Sequence, residues 1–375
     1  MKPTRRQFLI GSGVAALATQ INLPAMAAAA KTGLKDVYKD RFLIGAAINS
    51  SIARGDHPDL TEIIKRDFSS ITPENCMKWE SVRTEDGGWK WTDADQFVEF
   101  AETHKLHAVG HTLAWHSQTP DSVFKNKNGE YIKPAELIKK MEEHIPTIVS
   151  RYKGKLAAWD AVNEAVGDDN QMRKSHYFNI LGEEFIDKAF HLAHEADPNA
   201  HLMYNDYNNE NEGKRNATVD MVKRLQKRGV PIHGLGIQAH ISVGGPSIEE
   251  IEKSIIAFYN LGLRVHFTEL DVDVLPSVWN LPTAEISTRF EYKPERDPFK
   301  NGISKEMNNQ LGKRYEDLFK LFIKHKDKID RITLWGITDD ASWKNDFPVK
   351  GRTNYPLLFD RKHQPKDAYY KILAL

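Results

Sequence analysis

The feature that most restricts the fold is a rhythm. Eight short β-rich runs alternate with longer stretches whose apolar residues recur at three- and four-residue steps. The runs read RFLIGAAIN from Arg41, FSSIT from Phe68, HAVGHTLAW from His107 and LAAWDAVN from Leu156. They continue with AHLMYND from Ala200, GLGIQAH from Gly234, RVHFTEL from Arg264 and RITLWGI from Arg331. Between them lie helix-patterned segments such as PAELIKKMEEHIPTIVSRY, GEEFIDKAFHLAHEAD, GKRNATVDMVKRLQKRG and SIEEIEKSIIAFYNLG. Strand and helix in alternation imply parallel pairing through right-handed crossovers. Eight such units in 375 residues predict an α/β protein, a closed (β/α)8 or TIM barrel. A doubly wound open sheet is the alternative, but no Gly-x-Gly-x-x-Gly turn follows the first run.

No Pro/Ser/Thr-rich linker or shift of composition divides the chain, so residues 28–375 read as one domain without an appended binding module. The longest irregular piece runs from Val274 to Ser304, well beyond an ordinary βα loop. Trp279, Phe290 and Tyr292 favour an ordered loop near the barrel mouth, whereas Lys293, Glu295, Arg296 and Asp297 favour a solvated tip.

Residues 1–27 pair Arg5 and Arg6 with Phe8, Leu9 and an apolar stretch, and end in a small-residue site at Ala25-Met26-Ala27. This is an export-signal pattern, with the adjacent arginines resembling a twin-arginine address rather than a general secretory leader. The expected destination is the periplasm or the exterior. No apolar stretch approaches the roughly 20 residues of a membrane span, so no membrane anchor is expected. The one cysteine, Cys76, can form no intrachain disulfide and reads as a small buried hydrophobe rather than a nucleophile. Lys plus Arg equals Asp plus Glu at 52 each, which leaves no basic field to draw nucleic acid and favours a neutral partner. A monomer is expected. Eight Trp, 12 Tyr and 17 Phe suit a packed core and also the flat apolar faces of sugars.

In a parallel barrel, chemistry gathers at the carboxyl ends of the strands. Here those ends carry TPENCMKWE, GHTLAWH, VNE, YNDYN, QAH, TELDVD and WGITDDASW. Any one polar strand end could simply cap the next helix. Across seven strands capping explains less, because it has no use for Gln238 with His240, or for Trp115, Trp335 and Trp343 beside them. His111, His116 and His240 lack a His-x-His or His-Glu-x-x-His spacing, so no metal or other cofactor is expected. Paired carboxylates on facing strands are what glycosidic-bond cleavage requires, and Glu164 and Glu269 are the leading pair.

At these residues the chain resembles glycoside hydrolase family 10, the barrel family of endo-1,4-β-xylanases. The matching stretches are ENCMKW (Glu74 to Trp79), GHTLAWH (Gly110 to His116), WDAVNEA (Trp159 to Ala165), GIQAH (Gly236 to His240), TELD (Thr268 to Asp271) and LWGITDDASW (Leu334 to Trp343). The resemblance runs from Leu34 to Tyr370. It implies retention of anomeric configuration, with Glu164 as acid and base and Glu269 as nucleophile, and carboxyls roughly 5–5.5 Å apart. It further implies that Gln238 bonds Glu164, that His240 bonds Glu269 and is held by Asp271, and that Asn163 grips the 2-hydroxyl of the attacked sugar. Glu74, Asn75 and Lys78 match residues that bind the adjoining sugar, with His111 and Trp115 completing that wall and Trp335 and Trp343 roofing it. For Trp115 and His116 a packed rim position is the competing reading. The stretch from Gly167 to Phe178 is expected to border the leaving-group side, while Asp160, lying inside its strand, and Asp168 and Asp169, in the loop, gain no support as catalysts. The implied substrate is xylan or a xylo-oligosaccharide. A related β-1,4-glucanase or mixed-specificity hydrolase is the nearest alternative, and a catalytically silent xylan-binding barrel is another.

Overall fold

The computed structural model describes residues 32–84, 86–278 and 285–375; the expected leader at 1–27 and Trp279 lie outside the described residues. The strands are β1 (Leu43–Ile48), β2 (Ser70–Pro73), β3 (His107–Trp115), β4 (Ala158–Asn163), β5 (His201–Asp206), β6 (Gly234–Ile237), β7 (His240–Ser242), β8 (Arg264–Asp273) and β9 (Ile329–Leu334). Their hydrogen-bonded order is β6-β5-β4-β3-β2-β1-β9-β8-β7, and β6 also pairs with β8. That last pairing closes an all-parallel barrel of eight staves, β1 to β6 with β8 and β9. The run from Gly234 to His240, expected as one strand, is two. It is interrupted at Ala239, whose φ is 61°, and β7 resumes as a short extension that sets His240 opposite Asp271 on β8.

Helices Pro58–Asp67, Thr92–His104, Pro134–Arg151, Glu184–Ala196, Glu212–Lys227, Ile248–Tyr259 and Lys305–Lys324 carry the chain from one stave to the next. Pro134–Arg151 shows why these segments are helical: Leu137, Met141, His144, Ile145, Ile148 and Val149 are buried, one stripe at three- and four-residue steps. Ser247 and Ser304 cap two of the helices by accepting the amides of Glu250 and Met307. With helices outside and side chains within, β4 is buried along its whole length, as a stave covered on both faces must be. Cys76 is buried, and desolvation pushes its thiol up to about 12, so it stays protonated and packs. Among the described residues no helix is long and apolar enough to cross a membrane.

The described part of the long 274–304 segment is ordered by backbone contacts. Phe290 donates its amide to Pro348 at 2.9 Å, and Asp297, expected at a solvated tip, is buried and accepts the Thr353 amide at 2.9 Å. Lys293 and Glu295 are exposed, as expected of a tip. The segment thus lies against residues 348–355 instead of standing free.

Close packing of β3 on β4 sets the position of the site. Gly110 faces Trp159, the largest fully buried side chain, and a Cβ at residue 110 would come 2.1 Å from the indole. Gly110→Ala is therefore expected to lower stability by about 1–3 kcal/mol through overpacking. Urea unfolding measures it, and a midpoint equal to wild type would refute the packing account.

Candidate active site

The acid at the end of β4 sits in an unusual backbone state. Glu164 has a φ of 58°, in the left-handed region that a non-glycine residue adopts at a cost. Its amide donates to the Asn205 carbonyl at 2.8 Å, and its own carbonyl accepts Arg173 Nε at 2.8 Å. These two bonds hold the strained turn. The Glu164 carboxylate, in a residue only 5% exposed, then meets three donors: Trp115 Nε1 at 2.9 Å on Oε2, and Gln238 Nε2 at 3.0 Å with Asn163 Nδ2 at 3.2 Å on Oε1.

Glu269, on β8, is also 5% exposed but has different company. Asn205 Nδ2 donates to its Oε1 at 2.7 Å, and His240 Nε2 lies 3.1 Å from its Oε2. The far ring nitrogen of His240 is 2.9 Å from Asp271 Oδ2. Asp271 in turn accepts Trp343 Nε1 at 2.8 Å and has Lys344 Nζ at 3.6 Å. Burial alone would depress the His240 imidazole, but Asp271 and Glu269 outweigh it and raise its pKa to about 9. The ring is therefore a cation at neutral pH, clamped between two carboxylates.

Four successive staves thus present one row: Glu164 after β4, Asn205 on β5, Gln238 after β6 and Glu269 on β8. The intervening staves supply Asn205, whose amide bonds Glu269, and Gln238, whose amide bonds Glu164. Asn205 also donates to Asn163 Oδ1 at 2.9 Å, so an amide chain runs from one carboxylate to the other.

Around this row a cleft of about 220 Å³ is lined by every predicted site residue except Asp271, which stands behind His240. Lys78 Nζ bonds Asn75 Oδ1 at 2.9 Å and Gln118 Oε1 at 2.7 Å, and lies 4.7 Å from the centre of the Trp115 ring. Burial lowers the Lys78 ammonium to about 8 despite Glu269, Glu74 and Glu164 nearby, and burial raises Glu74 to about 7. Trp335 meets His111 edge-on at 5.3 Å, and Trp343 stacks on Phe347 at 4.6 Å.

Three residues gain partners that their sequence context did not specify. Trp115 is no mere packed rim residue, since its indole donates directly to Glu164. His116 bonds Glu285 of the long segment at 3.2 Å and has its other nitrogen 3.9 Å from Glu164. Asp160, which found no support as a catalyst in the sequence, bonds the His111 ring at 2.8 Å, a partner that a buried carboxylate inside a strand needs. Asn205 was missed although YNDYN was singled out. Its neighbour Asp206 supports the acid's turn, receiving the hydroxyl of Tyr204, which itself accepts the Ala165 and Val166 amides at 3.1 Å each. Past Glu164, Arg173 ties to Glu285 at 2.5 Å and to Tyr207 at 2.7 Å. Asp168 and Asn170 line a groove of about 790 Å³ that meets the cleft at His240, the expected leaving-group side.

A parallel barrel with two buried carboxylates joined at the carboxyl ends of its staves defines the glycoside hydrolase class of site. The family model for glycosyl hydrolase family 10 matches residues 33–375, and the chain belongs to that family. An endo-1,4-beta-xylanase A of Xylanibacter ruminicola is 43% identical over 342 residues, covering 91% of this chain and 93% of that protein. An endo-1,4-beta-xylanase of Geobacillus stearothermophilus is 39% identical over 345 residues, covering 91% and 98%. The solved structure of a GH10 endoxylanase from a sugarcane soil metagenome superposes with a TM-score of 0.89 at 57% identity, covering 91% of this chain and 99% of that one.

The raised His240 pKa carries a sign. A folded-state value near 9 against 6.5 unfolded stabilises the fold fully below pH 6.5, and the contribution is lost as pH rises through 9. The unfolding free energy of wild type is expected to fall between pH 6.5 and 9.5 by on the order of 1–3 kcal/mol more than that of His240→Asn. Parallel profiles would show that the imidazole does not carry that charge.

Proposed function

We propose that this chain is an endo-acting hydrolase of β-1,4-xylosidic bonds in xylan or xylo-oligosaccharides, working by retaining double displacement with Glu269 as nucleophile and Glu164 as acid and base. The observation that carries the assignment of roles is the asymmetry of the two carboxylates. Glu269 is held by the His240 ring and the Asn205 amide, which fix one carboxyl oxygen each and orient it for attack on the anomeric carbon. Glu164 is hydrogen-bonded by an indole and two amides, and among the described residues no cation comes within hydrogen-bond distance of its carboxyl, His116 standing 3.9 Å away.

In the first step Glu269 forms a bond to the anomeric carbon as the glycosidic bond breaks, and Glu164 passes its proton to the departing oxygen. In the second, Glu164 takes a proton from water as that water attacks the same carbon and Glu269 leaves. Asn163, held by Asn205 and Gln238, is placed beside the acid where it can meet the 2-hydroxyl. Glu74, Asn75 and Lys78 offer polar partners to the sugar on the non-leaving side, with Trp335 and Trp343 as its apolar faces. Ile286 and Arg289 of the long segment line the same cleft, so that segment bears on which chain substituents enter. Xylanase is the name borne by the relatives above, and a neighbouring structure at 35% identity is described in complex with xylotriose.

We further propose that residues 1–27 direct export, by the twin-arginine route, to the periplasm or exterior; the support is the sequence pattern alone.

Glu164→Gln and Glu269→Gln are each expected to cut xylan hydrolysis by more than about 10³-fold with the unfolding midpoint retained. A reducing-sugar assay showing near-wild-type rates in either would overturn the roles. The first product seen by proton NMR should be the β-anomer; an initial α-anomer excludes a covalent intermediate. Initial rates on aryl xylobioside should exceed those on aryl cellobioside, and the reverse order would make the chain a glucanase. For export, replacing Arg5 and Arg6 together with Lys is expected to leave the protein in the cytoplasm of an expressing bacterium; undiminished export would point to the general secretory route.

A further inference from the structure

The opposite end of the barrel holds a second polar chamber that the hydrolytic reaction does not use. A cavity of about 560 Å³ opens at the amino-terminal ends of the staves, with Arg331 of β9 and three histidines, His107, His201 and His266, among its walls. Arg331 is 2% exposed. Its contacts are weak for a buried cation: Nε reaches the Thr333 hydroxyl at 3.1 Å and Nη2 the Met203 thioether at 3.9 Å. Asp160 and Asp330 act on it only through space, and burial brings its pKa down to about 10, so it stays charged at neutral pH.

A buried charge without a contacting counter-charge costs several kcal/mol and is normally paired. Among the described residues no carboxylate touches this guanidinium. The neighbouring side chains do not supply one either. The cavity is lined by five cationic side chains, Lys39, Arg41, Arg264, Lys326 and Arg331, against two carboxylates, Asp40 and Asp330, and Asp330 is already bonded to Arg264 Nε at 2.7 Å. Two more polar atoms of the lining are buried and without a hydrogen-bond partner among the described residues, Nδ1 of His266 and Nη1 of Arg41. Burial lowers His107 and His201 to about 4 and holds His266 well below its ordinary value. The three rings are therefore neutral near pH 7; His201 and His266 share one hydrogen bond through their Nε2 atoms at 3.2 Å, which leaves the His266 Nδ1–H free to donate when His201 is the donor of that pair, without adding to the repulsion.

We propose that this chamber binds a small inorganic oxyanion such as phosphate, seated against Arg331 and solvated by the surrounding histidine and arginine N–H groups. A tetrahedral oxyanion matches a guanidinium fork, fits the volume and answers the excess of positive charge. In this fold the amino-terminal face serves stability and the carboxyl-terminal face serves chemistry, so the bound anion acts as a stabilising ligand remote from Glu164 and Glu269.

The test is thermal unfolding of the full chain in potassium phosphate against potassium chloride at equal ionic strength and pH 7. A saturable rise of about 2–4 °C in phosphate beyond chloride is expected, and it should vanish in Arg331→Met. Equal behaviour in the two salts, or an unchanged phosphate effect in Arg331→Met, would overturn the proposal. If Arg331→Met does not fold, the same titration on Arg41→Gln decides: half-saturation should move at least threefold to higher phosphate, and an unmoved value counts against the site.

Discussion

Two carboxylates buried in the mouth of a barrel are tolerable only if their oxygens find donors, and most of the site follows from that demand. Water cannot serve residues that are 5% exposed as it serves surface acids. The five donors come from four neighbouring stave ends: Trp115 of β3, Asn163 of β4, Asn205 of β5, and Gln238 and His240 after β6. Such convergence requires parallel strands whose carboxyl ends share one rim, which is what closure of β6 on β8 provides. The demand propagates outward, since His240 needs Asp271, and Asp271 needs Trp343 and Lys344.

How much of this could be read from the chain divides along a physical line. Strand and helix order was legible because it is written in periodicity, and parallel alternation leaves few topologies. Glu164 and Glu269 were legible because each directly follows an apolar run. Asn205 was not, because an amide inside YNDYN looks like any residue where a strand meets water; only the register of β5, opposite Asn163 on β4 and Gly236 on β6, shows that it reaches Asn163 and, past the bare glycine, Glu269 on β8. The break at Ala239 was hidden for a similar reason, as a single left-handed residue leaves the hydrophobic pattern intact. Trp115 and His116 were ambiguous because aromatic residues at a barrel rim serve packing and recognition equally well in sequence.

The long segment after β8 shows the opposite case. Its charged tip pattern suggested solvent, yet Asp297 is buried against the Thr353 amide and Glu285 reaches Arg173 and His116 across the mouth. The hydrogen bond from His116 and the nearby Arg173 charge draw the Glu285 carboxyl down to about 2, so its tie to Arg173 is ionic at neutral pH. The segment that follows the proposed nucleophile's strand is thereby fastened beside the proposed acid.

The amide chain between the two acids has a further consequence. Asn163 and Asn205 join Glu164 to Glu269 by hydrogen bonds, but an amide neither gains nor loses a proton near neutral pH. The connection is structural and yet closed to proton hopping, unlike a bridge of water or histidine. A proton on Glu164 has no inner route to Glu269 along this chain, so any exchange between the two acids must pass through the cleft that both of them line.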